Sequence, residues 1–322
     1  MAAYKEAWLP EVEDLRQVPA SDLNRLLEEE ARLWDAEYSW DFRPSADLVR
    51  RFVQLQSLTG YALRQGHELI GYGYQVFEDR KGLIGDFYVR PGPNSTAESM
   101  LLLGAIVQNL MRTPGVRRIE SQLLLARVPP QLSIPFDRYA LRHDRRFMMV
   151  GGEAIRRLGE QPISFRAKLV PWSDRYQEDT AHLISAAYRG HVDSEINDQY
   201  RSIPGARRFL TNIVKYPGCG RFSPAASVVA VDDGSGRVCG VCLASLVSGN
   251  SGHVTQLCTL PGVRGSRLGY ELLRRCLLEI INQGCTMVSL TVTCSNIEAI
   301  RLYESIGFRQ HSTFPALVWE DF

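Results

Sequence analysis

The chain has 322 residues, 45% of them hydrophobic and 23% charged, with a formal net charge of +1. That length allows one or two domains of ordinary globular composition. The balanced charge excludes an electrostatic field of the kind that draws nucleic acid or an anionic membrane as main partner. No apolar run approaches the ~20 residues of a membrane helix. Met1 to Arg16 has neither the basic region nor the apolar stretch of a signal peptide, so a cytoplasmic location is expected.

All seven cysteines lie between Cys219 and Cys294. An odd count at irregular spacing does not read as a disulfide framework. Cys239 and Cys242 form a C-x-x-C inside the apolar run Val238 to Val247, where a strand would point them to opposite faces. They read as core cysteines, and no metal site is expected.

In chain order, Ser21 and Ser45 are expected to cap helices over Leu23–Trp34 and Leu48–Leu55. Tyr61 to Gly71 has hairpin grammar: two apolar stretches around a polar turn. A strand then ends in the corner Arg90-Pro91-Gly92, followed by a helical pattern from Ala97 to Met111, Gly115, and a strand over Ile119–Leu125. The same plan recurs about 170 residues later. Ser173 precedes helical sequence to Tyr188, and a further helix is expected over Ala206–Val214. Val228 to Gly240 is a second hairpin, and the corner Leu260-Pro261-Gly262 precedes a helix over Ser266–Asn282. Gly284 then leads into a strand over Met287–Thr293. Two diverged copies of one mixed α/β plan are predicted, each read as strand, two helices, antiparallel strands, helix, strand, helix, strand. The join is placed at 159–162, giving domains 1–160 and 161–322.

Gln256 to Leu273 carries the chemistry. An apolar strand runs into a turn containing Arg264, Gly265, Ser266 and Arg267, and a helix opens at Leu268 and Gly269. Such a junction gathers unpaired N–H groups and the positive end of a helix dipole, a site suited to a pyrophosphate. Further on, Asn296 is placed to cap a short helix through Ala299 and Tyr303 that ends at Gly307.

Arg264-Gly-Ser-Arg-Leu-Gly269 after a strand, followed by Asn296, Ala299, Leu302-Tyr303 and Gly307-Phe308, resembles the two signature regions of the GNAT acyltransferase superfamily. Arg264 and Gly269 match the ends of the family's Gln/Arg-x-x-Gly-x-Gly/Ala pattern, and Arg267 stands where the middle glycine belongs. The resemblance implies two tandem GNAT-like domains, the first degenerate, and an N-acetyltransferase moving the acetyl group of acetyl-CoA to a primary amine in a ternary complex. It implies that Leu257, Cys258 and Thr259 pair with the pantetheine arm, that the strand leading to Asn296 splays away to admit it, that Asn296 contacts the arm, and that Tyr303 sits near the thioester sulfur. Arg264 to Gly269 would hold the pyrophosphate. His253, six residues before Thr259, is the expected general base and Tyr303 the proton donor to the thiolate. A non-catalytic acyl-CoA-binding or regulatory module is the alternative.

Expected partners are a small-molecule or peptide amine, with acetyl-CoA as donor. The acidic loop with Asp193, Glu195 and Asp198 would attract a cationic amine. A monomer with a pseudo-dimeric domain pair, or a homodimer, is expected. In the first half Asn94 to Ser99 offers neither glycine nor arginine, Leu83 takes the place of His253, and Arg142 that of Tyr303. Only fourteen residues follow Phe308, enough for one strand through Trp319. The remaining sheet edge of the second domain is expected to be filled by the first ten residues or by the linker.

Overall fold

The computed structural model describes residues 10–322 except 127 and 217. It divides into two compact units: the chain up to His143 together with Phe314–Phe322, and Asp144–Thr313.

The first unit holds strands β1 (Glu11–Asp14), β2 (Gly60–Gln65), β3 (Glu68–Glu78), β4 (Lys81–Val89) and β5 (Arg118–Gln122), with helices α1 (Ala20–Tyr38), α2 (Arg43–Gln54) and α3 (Ser95–Arg112). β1 to β4 pair antiparallel in sequence order, and β4 and β5 run parallel. Two apolar cores form, one around Leu102, Leu103 and Ile106 of α3, the other around Leu23, Leu26 and Leu27 of α1. Proline decides both helix starts. The N-cap of α1 is Pro19 rather than Ser21, and α2 begins at Arg43 with Pro44 in its first turn, so Ser45 lies inside it. The helix expected between β5 and the next strand is absent among the described residues, where only the 3₁₀ turn Asp137–Tyr139 forms. Pro129, Pro130 and Pro135 occupy that stretch and deny a helix its N–H donors.

Beyond it, β6 (Ala140–Gly151) leads into the second unit and a short α4 (Gly152–Arg156). There follow β7 (Ala167–Pro171), α5 (Gln177–Ala187), α6 (Asp193–Ile196), α7 (Ile203–Lys215), β8 (Arg221–Phe222), β9 (Val228–Asp232), β10 (Val238–Leu246) and β11 (Ser251–Thr259). The chain closes with α8 (Leu268–Asn282), β12 (Met287–Thr293), α9 (Ile297–Ile306) and β13 (Arg309–Glu320). β7, β9, β10 and β11 pair antiparallel in that order, and β11 and β12 run parallel. All seven cysteines are free thiols.

The sheet edge beside β12 is filled, but not by the linker. Arg145–Gly151 of β6 pairs antiparallel with Met287–Thr293, and Phe147, Met148 and Val150 are buried. The expected pairing of the first ten residues falls mostly on 1–9, outside the described residues. In the first unit, Ala316–Glu320 of β13 pairs with Arg118–Gln122 of β5 and contributes Leu317 and Trp319 to the core. The sequence repeat and the compact units therefore do not share a boundary: 144–151 precede the join at 159–162 yet belong to the second unit. Among the described residues no helix is long and apolar enough to cross a membrane.

Candidate active site

β11 and β12 hold together only over Ser251–Val254 against Met287–Leu290. Past that point each strand continues without the other, leaving one edge of β11 unpaired among the described residues. The pairing with β10 slips by one residue here: Leu243 faces Gln256 while Ala244 faces Val254, so Thr255 is the extra residue of a bulge. A bulge bends and twists its strand. The gap is a cavity of about 240 Å³, walled by Val254, Leu257, Cys258 and Thr259 from β11 and by Thr291 and Val292 from β12.

At the far end of β11 the chain makes a 3₁₀ turn at Pro261–Val263 and enters α8. Gly265 has φ of 78° and Arg267 has φ of 65°. Arg267 thus adopts the left-handed backbone that glycine adopts freely, at a cost of about 1–2 kcal/mol for a residue with a Cβ. The Ser266 hydroxyl donates to Val263 O at 2.6 Å, so it closes the turn. Arg264 Nη2 donates to Ala187 O at 3.0 Å, tying the corner to the end of α5. Arg264 and Gly269 line the cavity; Gly265, Ser266, Arg267 and Leu268 shape the corner from outside the wall, and Leu268 is buried in the core.

Asn296 caps α9 as expected, its Oδ1 accepting from Ala299 N at 3.3 Å, and Gly307 ends it at φ of 108°. Both Asn296 and Tyr303 line the cavity. Tyr303 is buried edge-on against Phe308 at 5.9 Å. Burial holds its phenol above the usual tyrosine range, with Arg145 opposing, so the hydroxyl keeps its proton.

His253 is placed differently. Its ring is buried, stacks on Phe147 at 6.1 Å, and has Nδ1 2.9 Å from Ser289 Oγ. Burial first, and Arg145 second, depress its pKa to about 4. It is not part of the cavity wall. This geometry does not support the base role expected for it.

Residues outside the two signature stretches also reach the cavity. Gln256, just past the bulge, donates from Nε2 to Tyr188 Oη at 2.6 Å, while Tyr200 Oη donates to Gln256 Oε1 at 3.3 Å. The two tyrosines stack at 4.5 Å, and His191 sits edge-on to Tyr188 at 5.2 Å. The Asp193 N–H donates to His191 Nδ1 at 3.1 Å, and its Oδ2 lies 3.8 Å from that nitrogen. Asp193 Oδ1 accepts from the Thr293 hydroxyl at 2.5 Å. Of the acidic loop, Asp193 lines the cavity, whereas Glu195 and Asp198 do not. Arg145 of β6 also lines it.

A frayed parallel strand pair, a bulge, and a glycine-bearing corner opening a helix together frame the cavity of this mixed α/β unit. The model of the acetyltransferase (GNAT) family matches residues 193–308. The structure of a GCN5-related N-acetyltransferase from Sphaerobacter thermophilus is similar, at 15% identity and a TM-score of 0.66, over 97% of this chain and 95% of that one. So is a tandem GNAT protein from the clavulanic acid biosynthesis pathway, at 16% identity and a TM-score of 0.62, over 97% of this chain and 98% of that one. No curated protein matches the sequence. Residues 193–308 form a GNAT-family domain, and the chain has the fold of a tandem two-domain GNAT protein.

Proposed function

We propose that the second unit transfers the acetyl group of acetyl-CoA to a primary amine by direct attack, and that the first unit does not turn over acetyl-CoA. The observation that supports this most is that Leu257–Thr259, Arg264, Gly269, Asn296 and Tyr303 all meet around one cavity. The N–H groups of the corner and of the first turn of α8 suit a diphosphate, and the unpaired edge of β11 suits the amides of a pantetheine arm.

An alkyl ammonium near pKa 10.4 costs about 4.6 kcal/mol to deprotonate at pH 7. We assign that proton to His191 Nδ1, beside Asp193 on the cavity wall; the lone pair that accepts the Asp193 N–H in this structure is released from that bond to take it. The amine nitrogen then bonds to the thioester carbonyl carbon as the carbon–sulfur bond breaks. The departing sulfur takes the Tyr303 phenol proton, and the proton lost by the nitrogen is released to restore the phenol. A backbone N–H on the open edge of β11 would stabilise the carbonyl oxygen, an effect of ~3 kcal/mol for one such donor.

For the first unit, the helix corner at Asn94–Ser99 lacks glycine and arginine, and Glu98 stands in the first turn of α3. Arg142 donates to Val128 O at 2.9 Å and Pro129 O at 3.1 Å, bracing the loop.

Tyr303→Phe tests the main reading. Thiol release from acetyl-CoA should fall by ~10²–10⁴ while acetyl-CoA still binds. Arg267 in the glycine position favours the alternative, an acyl-CoA-binding module without turnover. That alternative predicts binding with no thiol release for any amine in the wild-type protein.

A further inference from the structure

Asp193 and Arg145 bring opposite charges to the same end of the cavity. Thr293 links them. Its hydroxyl holds Asp193 Oδ1 at 2.5 Å, and its Cα is the register partner of Arg145 across β6 and β12. Directly opposed residues of an antiparallel pair project to the same face with Cβ atoms about 5 Å apart. The guanidinium stem and the carboxylate therefore flank one threonine. Yet they do not neutralise each other, for among the described residues the polar partners of the Asp193 side chain are Thr293 and His191. The Arg145 charge is felt at this end of the site, since it opposes the effect of burial on both the Tyr200 and the Tyr303 phenols. The guanidinium has five N–H donors in a fork that matches a carboxylate, so several partners can share it.

We propose that the acceptor is a small zwitterion, an amine that also carries a nearby carboxylate, with Asp193 receiving its ammonium and Arg145 its carboxylate. The assignment rests on the acetyl-transfer reading for its chemistry but not for its binding. Asp193 adjoins His191, so an ammonium held there lies beside the proposed base. A simple alkylamine would engage only the Asp193 half and gain nothing from the guanidinium fork, whereas a carboxylate on the same molecule adds charge-assisted hydrogen bonds there. Arg145 here acts as a specificity residue.

The test uses matched sets on the full-length protein: an amino acid, its methyl ester and its decarboxylated amine, for several side chains. In wild-type protein the amino acid should give kcat/KM at least tenfold above both relatives, read by thiol release. Arg145→Gln should collapse that ratio toward one, and Arg145→Lys should retain part of it. Equal turnover within each set, or a ratio that survives Arg145→Gln, would overturn the proposal. Should Arg145→Gln fail to fold, the wild-type comparison alone decides. Absence of thiol release with every amine would instead refute the acetyl-transfer reading. Calorimetric titration of the same sets into CoA-saturated protein then decides the present proposal: amino acids binding at least tenfold tighter support it, and equal affinities overturn it.

Discussion

The two units share a frame down to its irregularities, and differ in what fills it. In the first, β4 and β5 pair over Lys81–Ile84 and Arg118–Ser121, then part; in the second, β11 and β12 do so over Ser251–Val254 and Met287–Leu290. β4 also slips by one residue against β3 between Ile84 and Phe87, the positions that match the Thr255 bulge when the Pro-Gly corners are aligned. In the second unit Gln256 sits at that bulge and faces an open cavity. In the first, the Tyr74 ring packs on Gly85, where a Cβ would lie 2.1 Å from Tyr74 Cε2. Asp86 and Glu30 are bound by one phenol, Tyr72 Oη lying 2.6 Å from Asp86 Oδ2 and 2.8 Å from Glu30 Oε2. A single hydroxyl proton cannot serve both oxygens, so one carboxyl carries a proton of its own. Burial, then Asp86, pushes Glu30 well above the usual carboxylate range. The lesson is that the same bulge can turn its residues toward a cavity, as at Gln256, or toward packed aromatic and acidic side chains, as at Gly85 and Asp86.

The largest break in the comparison comes from cutting the chain at its sequence repeat. A fragment of residues 161–322 lacks 144–151, so β12 loses the strand that pairs with it along its length, and Phe147, Met148, Val150 and Ile155 leave the core. Burying each such side chain contributes roughly 1.5–3 kcal/mol, and together they approach the 5–15 kcal/mol of a whole domain. The fragment should show no cooperative melt, whereas 144–313 should melt as a unit. A sharp transition from 161–322 would mean that β6 is dispensable.

Next in size, the units should answer pH in opposite directions. His253 titrates near 4 in the folded second unit against an ordinary 6.5, so the unfolded state takes up its proton first as the solution is acidified. Stability is lost as pH falls from about 6.5 toward 4, by about 3 kcal/mol. His253→Asn should flatten that slope. In the first unit the raised Glu30 has the reverse sign. Its contribution is full below the ordinary carboxylate value and is lost as pH rises through the elevated one, and Glu30→Gln should flatten this dependence. Hydrogen exchange at β11 and β4 over pH 4.5 to 8 reads the two separately. Parallel changes in both strands, indifferent to the two substitutions, would show that neither buried group governs its unit.

The parts of this arrangement legible in the sequence are those set by local signals. The hairpins at 60–78 and 228–246, the Asn296 cap and the Gly307 stop each need only a few neighbouring residues. So does the strand–turn–helix corner with Arg264 and Gly269. Arg145 was not legible, because it enters the cavity through pairing between β6 and a strand more than 140 residues away, and nothing local marks it. Tyr188 and Tyr200 carry no local mark either; they meet at Gln256, which the bulge turns toward them. His253 shows the limit of spacing from the other side: six residues separate it from Thr259, but the bulge lies between them, and its ring is buried against Ser289 and Phe147.

The smallest expected effect concerns the two helix corners, and it separates backbone from side chain. Arg267 stands where the family pattern has glycine, and holds glycine's left-handed backbone at φ of 65°. Its side chain is exposed and is not part of the cavity wall. If the corner needs only that backbone, Arg267→Gly relieves about 1 kcal/mol of strain and raises the Tm by ~2–4 °C for a unit of this size. Arg267→Ala keeps the Cβ and should gain nothing. Acetyl-CoA affinity should stay within about threefold in both, since charge-assisted contacts are made by groups that face the ligand. A loss of tenfold or more shared by the glycine and alanine variants would make the guanidinium itself a phosphate ligand. The arginine would then be a substitution of charge for the close backbone approach that glycine allows, and the first unit's corner would lack both.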